Sequence, residues 1–372
     1  MESKKKCKVI ESSPKTLIGL MERLRDGETV ICAEGYLFLF EHCGYLTAGS
    51  YVPEVVLEHP ELVRQQYEEF VHAGSDVVLA FTYFAHREKM ALIGREDDLE
   101  RINKRALRMA REVADATGTL MAGNISNTNI FVDTVPNHRE KIWQIFKEQI
   151  EWAVDAGADF IVAETYDKFG EALLAVQACK EFAKDIPCVV TLAAQQGQVD
   201  GKPATVDGVE YSEAFNRLAD AGADVVGLNC ARGPATMLPI LEEAVDACKA
   251  PLAAVPVMYR TTKEEPNFIS SRDPLTGESL FPVNLDCIQC NRKDIHDFGK
   301  RVQELGIKYV GLCCGNSAHL TRSLAESLGR KPPASRYTPD LNKHWLLGKD
   351  DKLPSLGQES KMKYAKIIPK VE

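Results

Sequence analysis

The chain has 372 residues, 45% hydrophobic and 27% charged, which is the composition of one large globular domain or two smaller ones. Its formal net charge of −9 disfavours nucleic acid and anionic membranes as partners. The N-terminus has no apolar run, no stretch approaches the roughly 20 apolar residues of a membrane span, and the 11 cysteines suit a reduced chain. We therefore expect a cytoplasmic protein.

Eight short apolar segments along the chain predict buried β-strands. They are residues 29–33, 76–82, 119–124, 159–164, 188–194, 224–229, 252–258 and 308–312. Between them lie amphipathic stretches. In the first of these, Val63, Tyr67 and Phe70 follow helical spacing behind Pro60, a residue favoured in the first turn of a helix. The chain therefore alternates strands and helices.

A short phrase recurs at three helix-to-strand connections. It reads HAGSD at 72–76 and DAGAD at both 155–159 and 220–224, with a glycine suited to ending a helix. Eight strand–helix units in about 300 residues predict a (β/α)8 TIM barrel, which we place at 14–333. A doubly wound open sheet is the alternative, weakened because no G-x-G-x-x-G follows the first strand.

The predicted strand-to-helix connections are long, whereas many helix-to-strand connections are tight. The long ones are 34–59, 83–98, 125–138, 195–206 and 259–288. Barrel enzymes build their sites from loops at the carboxyl ends of the strands, so we expect the site there. The last loop is a candidate lid over a bound substrate.

Two of the strand-like runs end on cysteines at this same face. Cys230 follows the sixth run, and Cys313 and Cys314 follow the eighth. In one parallel sheet the three thiols would meet at one edge, and three thiolates suit zinc while leaving its fourth position open. Glu164 ends the fourth strand, which is otherwise apolar, so this buried acid needs a partner.

The cysteine motifs G-L-N-C at 227–230 and G-L-C-C-G at 311–315 resemble the zinc motifs of the homocysteine S-methyltransferase family. The resemblance is closest to its betaine-using branch and covers about 17–335, with supporting stretches at 28–31, 41–49, 58–65 and 332–335. It implies a barrel, a catalytic zinc on Cys230, Cys313 and Cys314, homocysteine as acceptor and methionine as product. It also implies that Glu164 holds the homocysteine amino group.

The half of the site that would hold the methyl donor departs from the family pattern. Where the family has Asp-Gly-Gly, this chain has Ala33-Glu34-Gly35, which keeps one glycine and moves the acid one place along. Of three aromatic residues that form the donor cage in the betaine branch, one is replaced here by Tyr51. The second is replaced by Phe84, and the third by Thr165.

We predict that eight residues bind the substrates, since aromatic rings hold onium ions by cation–π contacts. They are Glu34, Gly35, Tyr36, Tyr51, Tyr83, Phe84, Thr165 and Tyr166. The chain is too short for cobalamin or folate modules, so the donor should be a small free onium compound. Betaine leads by resemblance, and a sulfonium such as dimethylsulfoniopropionate or S-methylmethionine is the alternative, because Thr165 removes a ring from the cage.

Several further interpretations stay open. The chain could be an inactive protein that binds an onium metabolite, or a divalent-metal lyase, although no histidine–carboxylate cluster stands at the strand ends. Cys287 and Cys290 form a weak second metal motif, and lone histidines (His42, His86 and His319) are most simply structural.

The tail at 334–372 is either loosely ordered or an arm on a second subunit anchored at 345–347, so we expect a homo-oligomer.

Overall fold

The structure, a computed structural model, describes residues 18–195 and 197–344. In these residues eight parallel strands form a closed barrel. Each strand is hydrogen-bonded to the strands before and after it in the chain, and the first strand also pairs with the last, which closes the barrel. The strands are β1 Val30–Ala33, β2 Val77–Leu79, β3 Leu120–Ser126, β4 Phe160–Tyr166, β5 Cys188–Leu192, β6 Val225–Asn229, β7 Leu252–Val255 and β8 Tyr309–Leu312. The predicted (β/α)8 TIM barrel and its eight strands are confirmed, and the open sheet was the wrong alternative.

Twelve α-helices occur in the described part of the chain. They are α1 Leu20–Arg25, α2 Tyr36–His42, α3 Val55–Glu58, α4 Pro60–Ala73, α5 Arg87–Ala91, α6 Leu99–Thr117, α7 Pro136–Asp155, α8 Phe169–Phe182, α9 Tyr211–Asp220, α10 Pro234–Ala244, α11 Arg292–Glu304 and α12 Ala318–Ser327. Helix α4 and helices α6 to α12 surround the barrel. In α4 the residues at helical spacing, Val63, Tyr67 and Phe70, are buried against the strands.

The repeated phrase has a single structural role at the amino-terminal end of the barrel. Asp159 donates its backbone N–H to the Met121 carbonyl at 2.8 Å, and its carboxylate accepts the Met121 N–H at 2.7 Å. Asp76 makes the same pair of bonds with Ile31, and Asp224 makes it with Cys188. Each aspartate therefore makes two hydrogen bonds to the first or second residue of a neighbouring strand and satisfies a backbone donor that the ladder leaves open.

Each of these aspartates also has a basic partner. Arg111 lies 3.0 Å from Asp159, Lys180 lies 3.3 Å from Asp224, and Arg330 pairs with Asp76. The preceding glycines have positive φ, as a residue that ends a helix in the left-handed conformation requires.

We expect Asp159→Ala to lower the free energy of unfolding by about 1–3 kcal/mol, because the Met121 N–H loses its acceptor. Asp115→Ala is the matched control. Asp115 also pairs with Arg111, at 2.8 Å, but its side chain is 67% exposed, and the expected loss is below about 0.5 kcal/mol. Urea titration of both variants measures the difference. Equal losses of unfolding free energy would contradict the role assigned to the Asp159 carboxylate.

The loops that follow the strands carry additional structure at the carboxyl-terminal end. Helices α2, α3 and α5 lie in these loops, as does a short hairpin of Gln198–Val199 with Lys202–Pro203. Asp207, beyond the hairpin, accepts the N–H groups of Phe169 and Gly170 at 2.8 and 2.9 Å. This loop therefore caps the N-terminus of α8.

The described elements after the barrel are short 3-10 turns at Pro333–Tyr337 and Leu341–Lys343. Residues 345–347, the predicted anchor of an intersubunit arm, lie outside the described residues, as does most of the predicted tail. No helix in the described ranges combines the length and apolar character needed to cross a membrane.

Candidate active site

A cavity of about 240 Å³ opens at the carboxyl-terminal end of the barrel. Its wall includes the three predicted metal-binding cysteines, Cys230, Cys313 and Cys314, together with Glu164. It also includes seven of the eight residues predicted to bind substrate: Glu34, Gly35, Tyr36, Tyr51, Tyr83, Phe84 and Thr165. The eighth, Tyr166, is not part of the wall. The predicted location of the site at this face is therefore matched by the cavity.

The three cysteine sulfurs form a compact group on the cavity wall. Cys314 Sγ lies 3.8 Å from Cys230 Sγ and 3.8 Å from Cys313 Sγ, and all three sulfurs lie within 4.8 Å of one another. Two thiolates bound tetrahedrally to zinc at about 2.3 Å are separated by about 3.8 Å. The spacing therefore fits a zinc ion held by three cysteines.

Backbone contacts with the carboxyl end of β7 and the residue after it hold the cysteines in this position. Cys230 N–H donates to the Val255 carbonyl at 3.0 Å, and Cys313 N–H donates to the Pro256 carbonyl at 2.8 Å. On the other side, Gly35 has φ 99°, and a Cβ there would lie 2.5 Å from the Cys313 carbonyl oxygen. Only glycine fits at position 35, so the loop after β1 closes directly on the cysteine pair.

The three thiols differ in acidity. Hydrogen bonds from Cys313 and Cys314 hold the pKa of Cys230 well below its ordinary value. The same contacts with Cys230 raise the pKa of Cys313 and of Cys314 well above theirs. One thiolate is thus stabilised at the expense of the other two, and three thiolates this close require a positive ion.

Two asparagine amides orient the Glu164 carboxylate. Asn124 Nδ2 donates to Oε1 at 2.6 Å, and Asn229 Nδ2 donates to Oε2 at 2.7 Å. Asn229 is itself held, since its Oδ1 accepts the Thr165 N–H and the Thr191 hydroxyl, each at 2.9 Å. Burial raises the pKa of Glu164 to about 7, and the hydrogen bond from Asn124 opposes that rise by stabilising the ionised form.

Glu34 lies beside Glu164 and is almost fully buried. Oxygens of the two carboxylates and Cys313 Sγ lie within 4.8 Å of one another. Burial raises the pKa of Glu34, and the neighbouring Glu164 raises it further. Within the described residues, Glu34 Oε2 and Asn124 Oδ1 are buried without a hydrogen-bond partner. This pair of acids is therefore suited to a cationic hydrogen-bond donor such as an ammonium group.

Aromatic rings form the outer wall of the cavity. The Phe38 ring lies 5.4 Å from the Tyr51 ring and 5.9 Å from the Phe268 ring, and Phe281 packs against Phe268 at 5.5 Å. Phe268 and Phe281 belong to the predicted lid, 259–288, which therefore does form part of the wall. The sequence interpretation missed all three phenylalanines, whose only signal was an aromatic side chain in a loop on this face.

The predicted aromatic residues Tyr83, Phe84 and Tyr36 also line the cavity, but they differ in their contacts. Tyr83 and Phe84 lie together, with ring centroids 4.3 Å apart, and the Tyr83 hydroxyl donates to Asn127 Oδ1 at 3.2 Å. Tyr36 reaches the wall but is buried, with its hydroxyl donating to the Leu79 carbonyl at 3.2 Å. It packs on Phe81 at 5.1 Å, so it serves mainly as the floor of the cavity.

The placement of Tyr166 corrects the prediction that it contacts substrate. Its ring packs edge-on against Phe146 of α7 at 6.0 Å, outside the barrel. The reason lies in Thr165, whose φ is 67°, and in a shift of the β4–β5 register between Ala163 and Tyr166. Simple alternation would place Tyr166 on the same side as Glu164, but the bulge turns Thr165 toward the cavity and Tyr166 away from it.

Left-handed backbone is concentrated at this site. Seven described residues other than glycine have positive φ, and six of them line the cavity: Tyr51, Phe84, Asn129, Thr165, Cys230 and Ala231. Such conformations cost roughly 1–3 kcal/mol each and persist where the surrounding structure fixes them. The side chains at the site are therefore held in positions that relaxed strands would not give them.

The weaker sequence candidates lie elsewhere. Cys287 is exposed, Cys290 is buried, and neither belongs to the two groups of three potential ligands in the described residues. His42 lies 3.5 Å from Glu41 Oε2, and His319 Nδ1 lies 2.8 Å from the Ser317 hydroxyl oxygen. Burial lowers the pKa of His86 to about 3, so this ring is neutral. None of the three histidines joins a described metal cluster.

Comparison with known proteins decides the family. A family model described as homocysteine S-methyltransferase matches residues 39–328. The chain belongs to the homocysteine S-methyltransferase family. The resemblance found in the cysteine motifs is thereby confirmed.

Members of the homocysteine S-methyltransferase family that resemble this chain use different donors. Betaine–homocysteine S-methyltransferase 1 of Xenopus tropicalis is 33% identical over 340 residues, covering 89% of this chain and 80% of the relative. S-methylmethionine–homocysteine S-methyltransferase of Mus musculus is 32% identical over 342 residues, covering 88% of each. These identities are nearly equal, so overall similarity leaves the donor undecided between a quaternary ammonium and a sulfonium compound.

A comparison with solved structures finds the same barrel fold. The metallated form of homocysteine methyltransferase MmuM from Escherichia coli superposes with a TM-score of 0.63, at 18% sequence identity. The match covers 82% of this chain and 99% of that one. At this identity the likeness establishes the barrel, while the chemistry of the present chain rests on its own residues.

Proposed function

We propose that this protein is a zinc-dependent S-methyltransferase that moves a methyl group from a small onium donor to the thiol of L-homocysteine, giving methionine. Methyl transfer to homocysteine follows from the family, and the zinc and the donor are the proposal. The observation that carries it is the group of three cysteine sulfurs, all within 4.8 Å of one another, beside two buried carboxylates in one cavity.

Zinc on Cys230, Cys313 and Cys314 would supply a Lewis acid that makes the acceptor thiol reactive near neutral pH. Glu164 is placed to receive the homocysteine ammonium, because its carboxylate is fixed by Asn124 and Asn229. Glu34 offers a second acceptor to the same ammonium through its unpaired oxygen. These contacts would fix the amino acid end of homocysteine and so place its sulfur.

The methyl group moves as a cation between two nucleophiles. The homocysteine thiol gives up its proton to solvent and reacts as the thiolate. A C–S bond forms at its sulfur while the C–N or C–S bond of the donor breaks, and the departing nitrogen or sulfur keeps the electron pair. Positive charge therefore disappears from the donor as the reaction proceeds. A cavity walled by Phe38, Tyr51 and Phe268 excludes water and suits that loss of charge.

Betaine is the leading donor, and a sulfonium is the second candidate. The relatives include users of betaine and of S-methylmethionine. Thr165 favours the sulfonium, because its short side chain lies on the cavity wall and bonds to Asn229 and Glu164 instead of presenting a ring. A dimethylsulfonium has one substituent fewer than a quaternary ammonium and needs a less complete cage.

The donor is decided by competition. Zinc-loaded protein with homocysteine should form methionine from betaine or from dimethylsulfoniopropionate, with values of kcat/KM that differ by more than about tenfold, or about 1.4 kcal/mol. S-methylmethionine is tested in parallel. If zinc is fully bound and no onium compound yields methionine, the protein binds an onium metabolite without catalysis and the methyltransferase proposal is withdrawn.

Two further parts of the proposal concern the protein's surroundings. A reduced, cytoplasmic location is supported by ten described cysteines, all of which are free. A homo-oligomer is supported by Tyr337 and Leu341, each 67% exposed just before the described chain ends. Cross-linking or sedimentation of the full chain tests the second point.

A further inference from the structure

The charged side chains on the cavity wall are all acidic. Glu34 and Glu164 lie deep, Asp167 also contributes to the wall, and no lysine, arginine or histidine of the described residues does so. This distribution suits the ammonium of the acceptor and the onium group of the donor. It leaves a carboxylate on the donor without a positive partner inside the cavity.

Lys89 of α5 packs over one ring of this wall. Its Nζ stands 3.9 Å from the centroid of the Phe84 ring, and Phe84 lines the cavity. The Phe84 backbone is held in the left-handed conformation at φ 60°, which fixes the direction of the ring. A positive charge is thus packed against the donor side of the site.

The charged neighbours of Lys89 on α5 form ion pairs, whereas Lys89 forms none with the described residues. Arg87 bonds to Glu148 at 2.7 Å, and Glu88 bonds to Lys141 at 2.7 Å, both on α7. No described carboxylate forms an ion pair with Lys89, which is half-buried against Phe84. Burial lowers the pKa of Lys89, as expected for an ammonium that has lost water and gained no anion.

We propose that Lys89 binds the carboxylate of the methyl donor and thereby selects zwitterionic onium compounds over simple cations. This inference rests on the proposed function, which it deepens by naming the substrate class. The onium group lies among the acids and rings of the cavity, and the carboxylate end reaches the ammonium beside Phe84. Lys89 is in this sense a specificity residue that takes no part in bond breaking.

Donors that differ only in this group test the assignment. Betaine is compared with choline, and dimethylsulfoniopropionate with the corresponding 3-hydroxypropyl dimethylsulfonium, in which a hydroxyl replaces the carboxylate. Titration calorimetry on zinc-loaded protein without homocysteine measures binding in the absence of turnover. We expect the carboxylated member of at least one pair to bind about tenfold or more tightly.

In Lys89→Met this preference should fall to about twofold or less, while binding of the alcohols stays the same or improves. Methionine keeps the length of the side chain and its packing on Phe84, so a change in the ratio reports the charge. Lys89→Arg should retain most of the preference. Lys141→Met, which removes a lysine from the adjacent helix, is the matched control and should behave like the wild type.

The outcomes separate the two proposals. If Lys89→Met keeps the wild-type preference, or if the wild type has none, the role of Lys89 is wrong whether or not methionine is formed. If the preference exists and depends on Lys89 but no donor yields methionine, the site selects zwitterions and the proposed methyltransferase function fails. Equal unfolding midpoints of the variants show that the fold is unchanged.

Discussion

Cys314→Ala is expected to remove most of the zinc and to lower methyl transfer by about a thousandfold, or roughly 4 kcal/mol. Cys314 Sγ is the sulfur that stands 3.8 Å from both other thiols, so its loss leaves only two thiols to hold the metal. Elemental analysis of the purified protein, expected at about one zinc per wild-type chain, measures the first effect. Methionine formation measures the second.

Cys287→Ala is the control for this substitution. Cys287 is exposed and lies outside the cysteine group, so the zinc content and activity of Cys287→Ala should equal those of the wild type. Retention of a full zinc complement by Cys314→Ala would show that the metal site has been assigned wrongly. A loss of zinc in both variants would instead point to a site that includes the Cys287–Cys290 pair.

The second large effect is expected from Glu164→Gln, which should raise the KM for homocysteine about 10- to 150-fold and change the KM for the donor little. A charge-assisted hydrogen bond contributes about 1.5–3 kcal/mol. The new amide would also point an NH₂ group at the NH₂ of Asn124 or of Asn229, which now donate to the two oxygens. Steady-state kinetics with each substrate varied in turn separate the two requirements.

An acceptor without the amino group gives the sharper test. With 4-mercaptobutyrate, the wild type and Glu164→Gln should have nearly equal kcat/KM, since the contact with the ammonium is missing in both. Glu171→Gln is the matched control, because Glu171 is another buried acid, and its carboxylate accepts a hydrogen bond from the Thr128 N–H at 2.8 Å. If Glu164→Gln uses homocysteine as well as the wild type does, the amino group is held elsewhere.

The barrel and the cysteine group were predictable from sequence because both depend on short local sequence patterns. Parallel strands are buried on both faces and therefore appear as short apolar runs. Cys230 and Cys314 lie at the carboxyl ends of two such runs, and barrel closure brings these ends to one side of the cavity. Chain topology alone thus converts two distant motifs into one site.

The supporting contacts of the site were not predictable in the same way. Asn124 and Asn229 end apolar runs and look like ordinary strand termini until their amides are seen on Glu164. Tyr166 was predicted to contact substrate because it is an aromatic residue beside Thr165 on this face, and the left-handed backbone of Thr165 turns it away from the cavity. Contacts between side chains far apart in sequence, and single residues with unusual backbone, leave no periodic signal.

The hydrogen-bonded aspartates at the amino-terminal end have a bearing on how this enzyme can be changed. Asp76, Asp159 and Asp224 tie neighbouring strands together at the end opposite the substrates. Mutations in the loops around Phe84 or Phe268 leave those ties intact, so libraries directed at these loops should yield a high proportion of folded variants. Donor preference is therefore open to laboratory evolution without prior stabilisation of the scaffold, and exchange of whole loops between relatives is a practical way to begin.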